Sequence, residues 1–277
     1  MKPEAIKDYF LVNGQVESTI NIEIFERIKN PPIYEVVRVI NKVPLFLEDH
    51  LDRMRKSANI VDYHIERRDK EIEEDIRELI NRNGIENLNV KLLCTDIEGM
   101  GQVFLAYFIK SFYPPKEFYK EGIHTILFHY ERENPNAKIQ MASFREEVAR
   151  ELEKNNAFEA LLVNKDGYIP EGSRSNMFFV KGDRIYTAPK GDVLLGITRK
   201  YILQVCEELN IKIIEENIHM GDLKKLDGAF MSGTSVNVLP ISSVDDIKLD
   251  SVNNRIIKEV NNLYVNKMKA YIESKTL

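Results

Sequence analysis

Long apolar runs are missing from this 277-residue chain. No stretch approaches the ~18 residues that a membrane-crossing helix requires, so no membrane partner is expected. The first residues, MKPEAIKDYFLVNG, lack the apolar core of a signal peptide, and the expected location is therefore the cytoplasm. Cysteine is scarce: Cys94 in VKLLCTD and Cys206 in ILQVCEEL both sit among apolar neighbours. Two such residues make no disulfide framework and fit buried thiols in a reducing compartment. Basic charge is not in surplus, with 39 Lys and Arg against 44 Asp and Glu and a net charge of −5. That argues against a nucleic-acid partner, which needs a clustered basic footprint. G-x-G-x-x-G, the P-loop and G-x-S-x-G are all absent, leaving dinucleotide, Walker and hydrolase chemistry without support. His50, His64, His124, His129 and His219 are scattered, and no His or Cys pair has ligand spacing; no metal is expected.

Hydrophobic residues make up 43% and charged residues 30% of the chain, which suits a globular protein and not a disordered one. At roughly 150 residues per domain the length suggests about two domains. β-rich runs at 34–40 and 44–48 flank an Asn-Lys-Val turn, and 49–59 carries Leu51, Met54 and Ala58 at helical spacing. A charged helix is predicted over 69–83 with Ile72, Ile76 and Ile80 on one stripe, then strands over 88–95 and 102–110. SFYPPKEFYKEG (111–122) holds two prolines and a glycine. It reads as the boundary between a domain of residues 1–114 and one of 123–277, joined by a linker at 115–122. The second half predicts strands at 123–129, 157–164, 176–180, 211–216 and 228–232. Its helices are predicted at 140–155, with Met141, Phe144, Val148 and Leu152 as the apolar stripe, at 197–209 and at 251–273. Strands and helices interleave irregularly, so a mixed α+β architecture is expected.

Four short segments offer chemistry. Lys138 follows Asn134-Pro135-Asn136-Ala137; an ammonium tucked against Ile139 and Met141 is an amine nucleophile or base, and a solvated lysine at a helix start is the plain alternative. Glu171 lies in the turn GYIPEGSRSN, where Ser173, Ser175 and Asn176 are placed to orient it; a solvated turn glutamate has the same sequence. Gly196-Ile197-Thr198 opens a helix, and its free N–H groups form either an anion site or an ordinary N-terminus. Ser232-Gly233-Thr234-Ser235 ends a strand in small donors, as a second phosphate cradle or a simple tight turn.

Taken in order, these segments resemble the class IV (fold type IV) pyridoxal-phosphate aminotransferases, a group that includes D-amino-acid and branched-chain aminotransferases and aminodeoxychorismate lyase. The likeness runs from about residue 34 to 245. FLEDHLDRMRKSANI is similar to the family's His-x-x-Arg segment, NAK to its lysine segment, and GYIPEGSRSNMFFV to its E-G-S/A-x-x-N segment. LLGITR is similar to the first phosphate-binding turn and FMSGTSVNVLPI to the second. The resemblance implies a smaller N-terminal α/β domain and a larger C-terminal domain with a β-barrel-like core that binds pyridoxal 5'-phosphate. It implies Lys138 as the Schiff-base lysine and catalytic residue. Glu171 is implied as the partner of the pyridine nitrogen, with Ser175 and Asn176 among the cofactor-binding residues. Arg53, Gly196, Ile197, Thr198, Thr234 and Ser235 are implied around the phosphate. The implied reaction is transamination between a small amino donor and a 2-oxo acid, in a homodimer whose active site lies between the domains.

The departures concern substrate. The family's Gly-Asp-Gly-like turn is replaced by Asn30-Pro31-Pro32. IYEVVRV is most similar to the D-amino-acid enzymes, which implies that Tyr34 helps to hold the substrate carboxylate. Their Arg-x-His pair is absent from KLLCTDIEG, and the tyrosine that branched-chain enzymes carry five residues after the lysine is Ser143 here. Lys91 and Arg38 are candidate substitutes. The alternatives to transamination are lyase chemistry that releases pyruvate and a catalytically silent cofactor-binding relic.

Overall fold

A computed structural model describes residues 4–132, 135–139 and 142–276. Two compact units emerge: Met1–Phe112 with Ala137–Gln140 and Met268–Leu277, and Tyr113–Asn136 with Met141–Lys267. Met141 and Asn134, used in the sequence reading above, lie outside the described residues.

The first unit contains β1 (Tyr9–Val12), β2 (Gln15–Ser18), α1 (Glu23–Glu26), β3 (Ile33–Ile40), β4 (Val43–Pro44), α2 (Leu47–Ile60), α3 (Asp69–Asn83), β5 (Asn87–Ile97) and β6 (Gly101–Ile109). Its six strands form one antiparallel sheet in the order β2-β1-β6-β5-β3-β4. Side chains alternate across a strand, so Val90, Leu92 and Cys94 of β5 pack with Leu51, Met54, Ile72 and Ile76 of the helices. Leu93 faces the other way, with Phe10, Phe25, Leu105 and Tyr107. Covered on both faces, β5 reads as a nearly continuous buried run. Asn41 and Lys42 both have positive φ (51° and 66°), the signature of the two-residue hairpin turn that matches strand twist. The strand expected over 44–48 is corrected: β4 stops at Pro44, which has no N–H for a ladder, and the left-handed Phe46 leads into α2. The β1–β2 hairpin, which the sequence reading leaves unassigned, turns at Asn13-Gly14.

The second unit contains α4 (Lys116–Glu121), β7 (Ile123–His129), α5 (Ala142–Lys154), β8 (Glu159–Val163), β9 (Tyr168–Ile169), β10 (Asn176–Lys181) and β11 (Arg184–Thr187). It continues through α6 (Ile197–Glu208), β12 (Lys212–Glu215), β13 (Ile218–His219), a 3-10 turn at Met220–Lys225, β14 (Gly228–Gly233), β15 (Asn237–Val244), β16 (Ile247–Lys248) and most of α7 (Arg255–Thr276). Strands run β12-β11-β10-β14-β15-β7-β8, with β16 on β15. Residues 171–173 then bond to β8, through Leu162 N–H to Glu171 O at 2.9 Å and Ser173 N–H to Ala160 O at 2.8 Å, before the chain enters β10. The sheet thus curls back on itself, which protects its edges and sets Glu171 at the seam. This is the expected barrel-like core within an α+β fold. α7 starts four residues later than the sequence pattern suggests because Asn254 Oδ1 accepts from Ile257 N–H at 3.2 Å and caps the helix there. In the 115–122 segment, Tyr119 of α4 donates its hydroxyl to Val236 O at 3.0 Å. Cys94 and Cys206 are free and buried, and burial pushes each thiol up to about 12.

Candidate active site

In the first unit the short 137–139 segment adds to the edge of β3. Tyr34 N–H donates to Lys138 O at 3.2 Å, Lys138 N–H donates to Ser57 Oγ at 3.2 Å, and Ile139 bridges Ile33. Both main-chain polar groups of Lys138 are therefore occupied, and its side chain is aimed by a fixed backbone. The Lys138 ammonium lies 4.7 Å from the centroid of the Tyr34 ring, within cation–π range. Lys91 Nζ approaches the same ring at 5.1 Å. Lys91 is 1% exposed and pairs with Glu4, whose carboxylate also accepts from the Tyr107 hydroxyl at 3.4 Å. Thus the structure brings Tyr34, Lys91 and Lys138 together. Arg38 lies on the same face of β3 and is half-buried.

Arg53 is buried on α2 and presents Nε and Nη2 to the two oxygens of Glu35, each at 2.7 Å. His50 Nδ1 stands 2.9 Å from Glu35 Oε2. Burial by itself raises the carboxyl, but Arg53 and His50 outweigh it and hold Glu35 far below the usual carboxylate range. Burial pushes His50 down, with Arg53 and Lys138 adding to the effect against the opposing pull of Glu35. A neutral imidazole next to a carboxylate must carry its proton on the facing nitrogen, so His50 donates. Sequence reasoning singled out Arg53 and missed the acid that fixes its plane. The available signal was His50 and Arg53 three apart on one helix face, opposite an inward position of β3.

In the second unit Glu171 is buried, with Arg132 Nε 3.0 Å from its Oε1. Ser173 and Ser175 do not orient Glu171 as the sequence suggested. Both hydroxyls donate to Glu159, at 2.5 and 2.9 Å, and Ala160 N–H and Ser173 N–H add bonds of 2.9 and 3.2 Å. Glu159 is fully buried, and a carboxylate with several acceptor sites can gather these donors. Gly172 permits the approach: a Cβ there would run into Ser175 Oγ and lie 3.2 Å from the Glu159 carboxyl carbon.

Asn176 connects the remaining pieces. It bridges Glu171, pairs with Ser232 across the β10–β14 ladder, and donates Nδ2 to Leu194 O at 2.8 Å. Its Oδ1 occupies the space a Cβ on Gly196 would need. The structure therefore gathers Asn176, Gly196 and the end of β14 in one region. Ile197 and Thr198 are buried in the first turn of α6, which has no acidic residue. Thr234 and Ser235 occupy the turn between β14 and β15. Among the described residues, Ser232 Oγ is buried with no hydrogen-bond partner. A glycine-lined approach, a helix N-terminus and an orphaned hydroxyl fit a phosphate monoester. Arg199, one residue beyond Thr198, adds a buried guanidinium anchored to Ala188 O at 2.9 Å.

Comparisons with known proteins identify the family. The model of the family Amino-transferase class IV matches residues 32–244. A branched-chain-amino-acid aminotransferase of Pseudomonas aeruginosa is 30% identical over 251 residues, covering 83% of this chain and 82% of its own. A D-alanine aminotransferase of Bacillus licheniformis is 28% identical over 224 residues, 77% of this chain and 78% of its own. The solved branched-chain amino acid aminotransferase of Escherichia coli superposes with a TM-score of 0.85 at 22% identity, over 95% of each chain. The chain belongs to the class IV aminotransferases. It is a pyridoxal-phosphate-dependent transferase of amino groups, and neither the lyase nor the relic reading is favoured.

Proposed function

We propose that this enzyme transfers the amino group of a branched-chain or D-amino acid to a 2-oxo acid, with Lys138 as the catalytic residue. The chemistry supplied by bound pyridoxal phosphate is an electron sink for the pair left behind when the substrate α-proton departs. Lys138, as a free amine, would accept that proton and give it up again to complete the transfer, a positioned step typically worth about 10²–10⁴ in rate. Glu171 keeps the ring nitrogen protonated. Arg53, held in plane by Glu35, joins Gly196, Ile197, Thr198, Thr234 and Ser235 in neutralising the phosphate. Asn176 acts by shaping the 194–196 approach, and Ser175 acts through Glu159. Tyr34 holds the substrate carboxylate, with Lys91 as the adjacent buried cation. The reading includes a homodimer and a cytoplasmic location; light scattering that shows only monomer at micromolar concentration overturns the homodimer.

The observation that carries the assignment is the clamped main chain of Lys138 with its ammonium over Tyr34. The test is borohydride reduction of the loaded enzyme followed by peptide mass spectrometry, with a panel of D- and L-amino acids as donors. Cofactor mass on the Lys138 peptide and discharge by one donor class are expected. Label elsewhere, or full turnover in Lys138→Ala, overturns the assignment.

A further inference from the structure

We infer that Arg132 is the positioning residue for Glu171: it braces the turn that carries the carboxylate and stands beside it as the counter-charge. The inference rests on the reading of Glu171 as the ring-nitrogen partner. Three contacts from one side chain carry it. Arg132 Nε lies 3.0 Å from Glu171 Oε1 as an ion pair, a charge contact without hydrogen-bond alignment. Nη2 donates to Ser173 O at 2.7 Å, in the same turn that carries Glu171. The guanidinium carbon stands 5.5 Å from the Phe144 ring centroid, so an aromatic face backs the planar fork.

An arginine tied to both the carboxylate and the backbone two residues later is a brace as well as a charge. Arg132 and Glu171 open on a cavity of about 210 Å³ also lined by Tyr130, Asn164, Asp192 and Asn217. Among the described lining residues the other charged ones are Glu131 and Asp192, both acidic, and Arg132 is the cation that pairs with Glu171. Without it, Glu171 shares the cavity with Glu131 and Asp192 and loses the counter-charge beside its Oε1. Glu171 side-chain exposure is only 5%, so water screens this balance weakly.

The experiment is carbon-13 NMR of the glutamate carboxyls in the full cofactor-free chain, with the Glu171 resonance identified by its loss in Glu171→Gln. In Arg132→Met the Glu171 carboxyl is expected to titrate higher by about 1, the lower end of the shift an adjacent opposite charge produces. Arg132→Lys retains the charge and is expected to titrate close to the parent. In the loaded enzyme, Arg132→Met is expected to lower kcat about 10–100-fold, as for a misplaced group, with cofactor affinity unchanged because the phosphate cradle is intact. An unchanged Glu171 titration in Arg132→Met, or equal titrations in the Lys and Met variants that differ from the parent, overturns the inference. Near-normal turnover in Glu171→Gln overturns the parent reading instead, and leaves the coupling of Arg132 to Glu171 to be judged by the titration.

Discussion

Among the described residues, each unit buries one carboxylate completely, and the two are held by opposite means. Glu35 in the first unit is gripped by charge, with Arg53 across both oxygens and His50 alongside. Glu159 in the second unit is held by two hydroxyls and two main-chain N–H groups. The first arrangement locks a cation whose direction matters. The second locks a turn, because three of its four donors come from Ser173 and Ser175. A buried acid can thus serve as an electrostatic anchor or as a knot in the backbone. Which it becomes depends on whether its neighbours arrive from a helix face or from a tight loop.

The sharpest way to break this comparison is Glu35→Ala. It strands a buried guanidinium, and removing one member of such a pair typically costs about 3–5 kcal/mol. A denaturant titration should show the loss, together with weaker cofactor binding through the misplaced Arg53. Glu159→Ala should cost less, about 1–3 kcal/mol for donors left unsatisfied. Its main functional effect should be on kcat through a loosened Glu171 turn, and Glu159→Gln should recover part of it. Equal stability losses for the Glu35 and Glu159 variants would erase the distinction.

Acid should separate the two units further. His50 is held below its ordinary value of 6.5, so the unfolded chain binds the extra proton, and stability declines as pH falls below that value. Glu35 is held below its ordinary value of 4.5. Its contribution is complete above that value and declines as pH falls further toward its folded value. In native-state hydrogen exchange, amides of β3 and α2 are expected to lose protection on acidification before those of β8 and β10. Gly196→Ala comes next: its Cβ meets Asn176 Oδ1, which cannot retreat without disturbing the bond to Leu194. Strain of this kind costs about 1–3 kcal/mol, and a cofactor Kd raised about tenfold is the expected reading. The smallest effect is expected at the thiols. Cys94 and Cys206, one in each unit, should both resist maleimide at neutral pH, because burial keeps them protonated.

Much of the fold was legible because local chemistry and tertiary packing agree along most of the chain. The α3 boundaries follow from the Ile72, Ile76 and Ile80 stripe and from Gly84, which takes the left-handed stop at φ 59°. The strand Ile123–His129 was equally plain. The N-terminal hairpin escaped notice although its Asn13-Gly14 turn signal is present, because its short flanking runs carry little periodicity. Among site residues, Lys138, Glu171 and the two small-residue turns stood out by type and order. Glu35, Glu159 and Arg132 did not, since a charged residue in a strand or loop looks the same whether it is solvated or buried.

By itself, then, the sequence determined the α+β class, the family and the residue types available for chemistry, because helical periodicity, turn chemistry and motif order are local properties. Only the tertiary structure decided which acids pair with which donors. It turned Ser173 and Ser175 from Glu171 to Glu159, placed Glu35 behind Arg53, and set Arg132 beside Glu171. Those choices depend on contacts between residues distant in sequence, such as β3 with α2 or the 132 segment with the 171 turn. The physical reason is that a buried charge must find its partner wherever the folded chain places one.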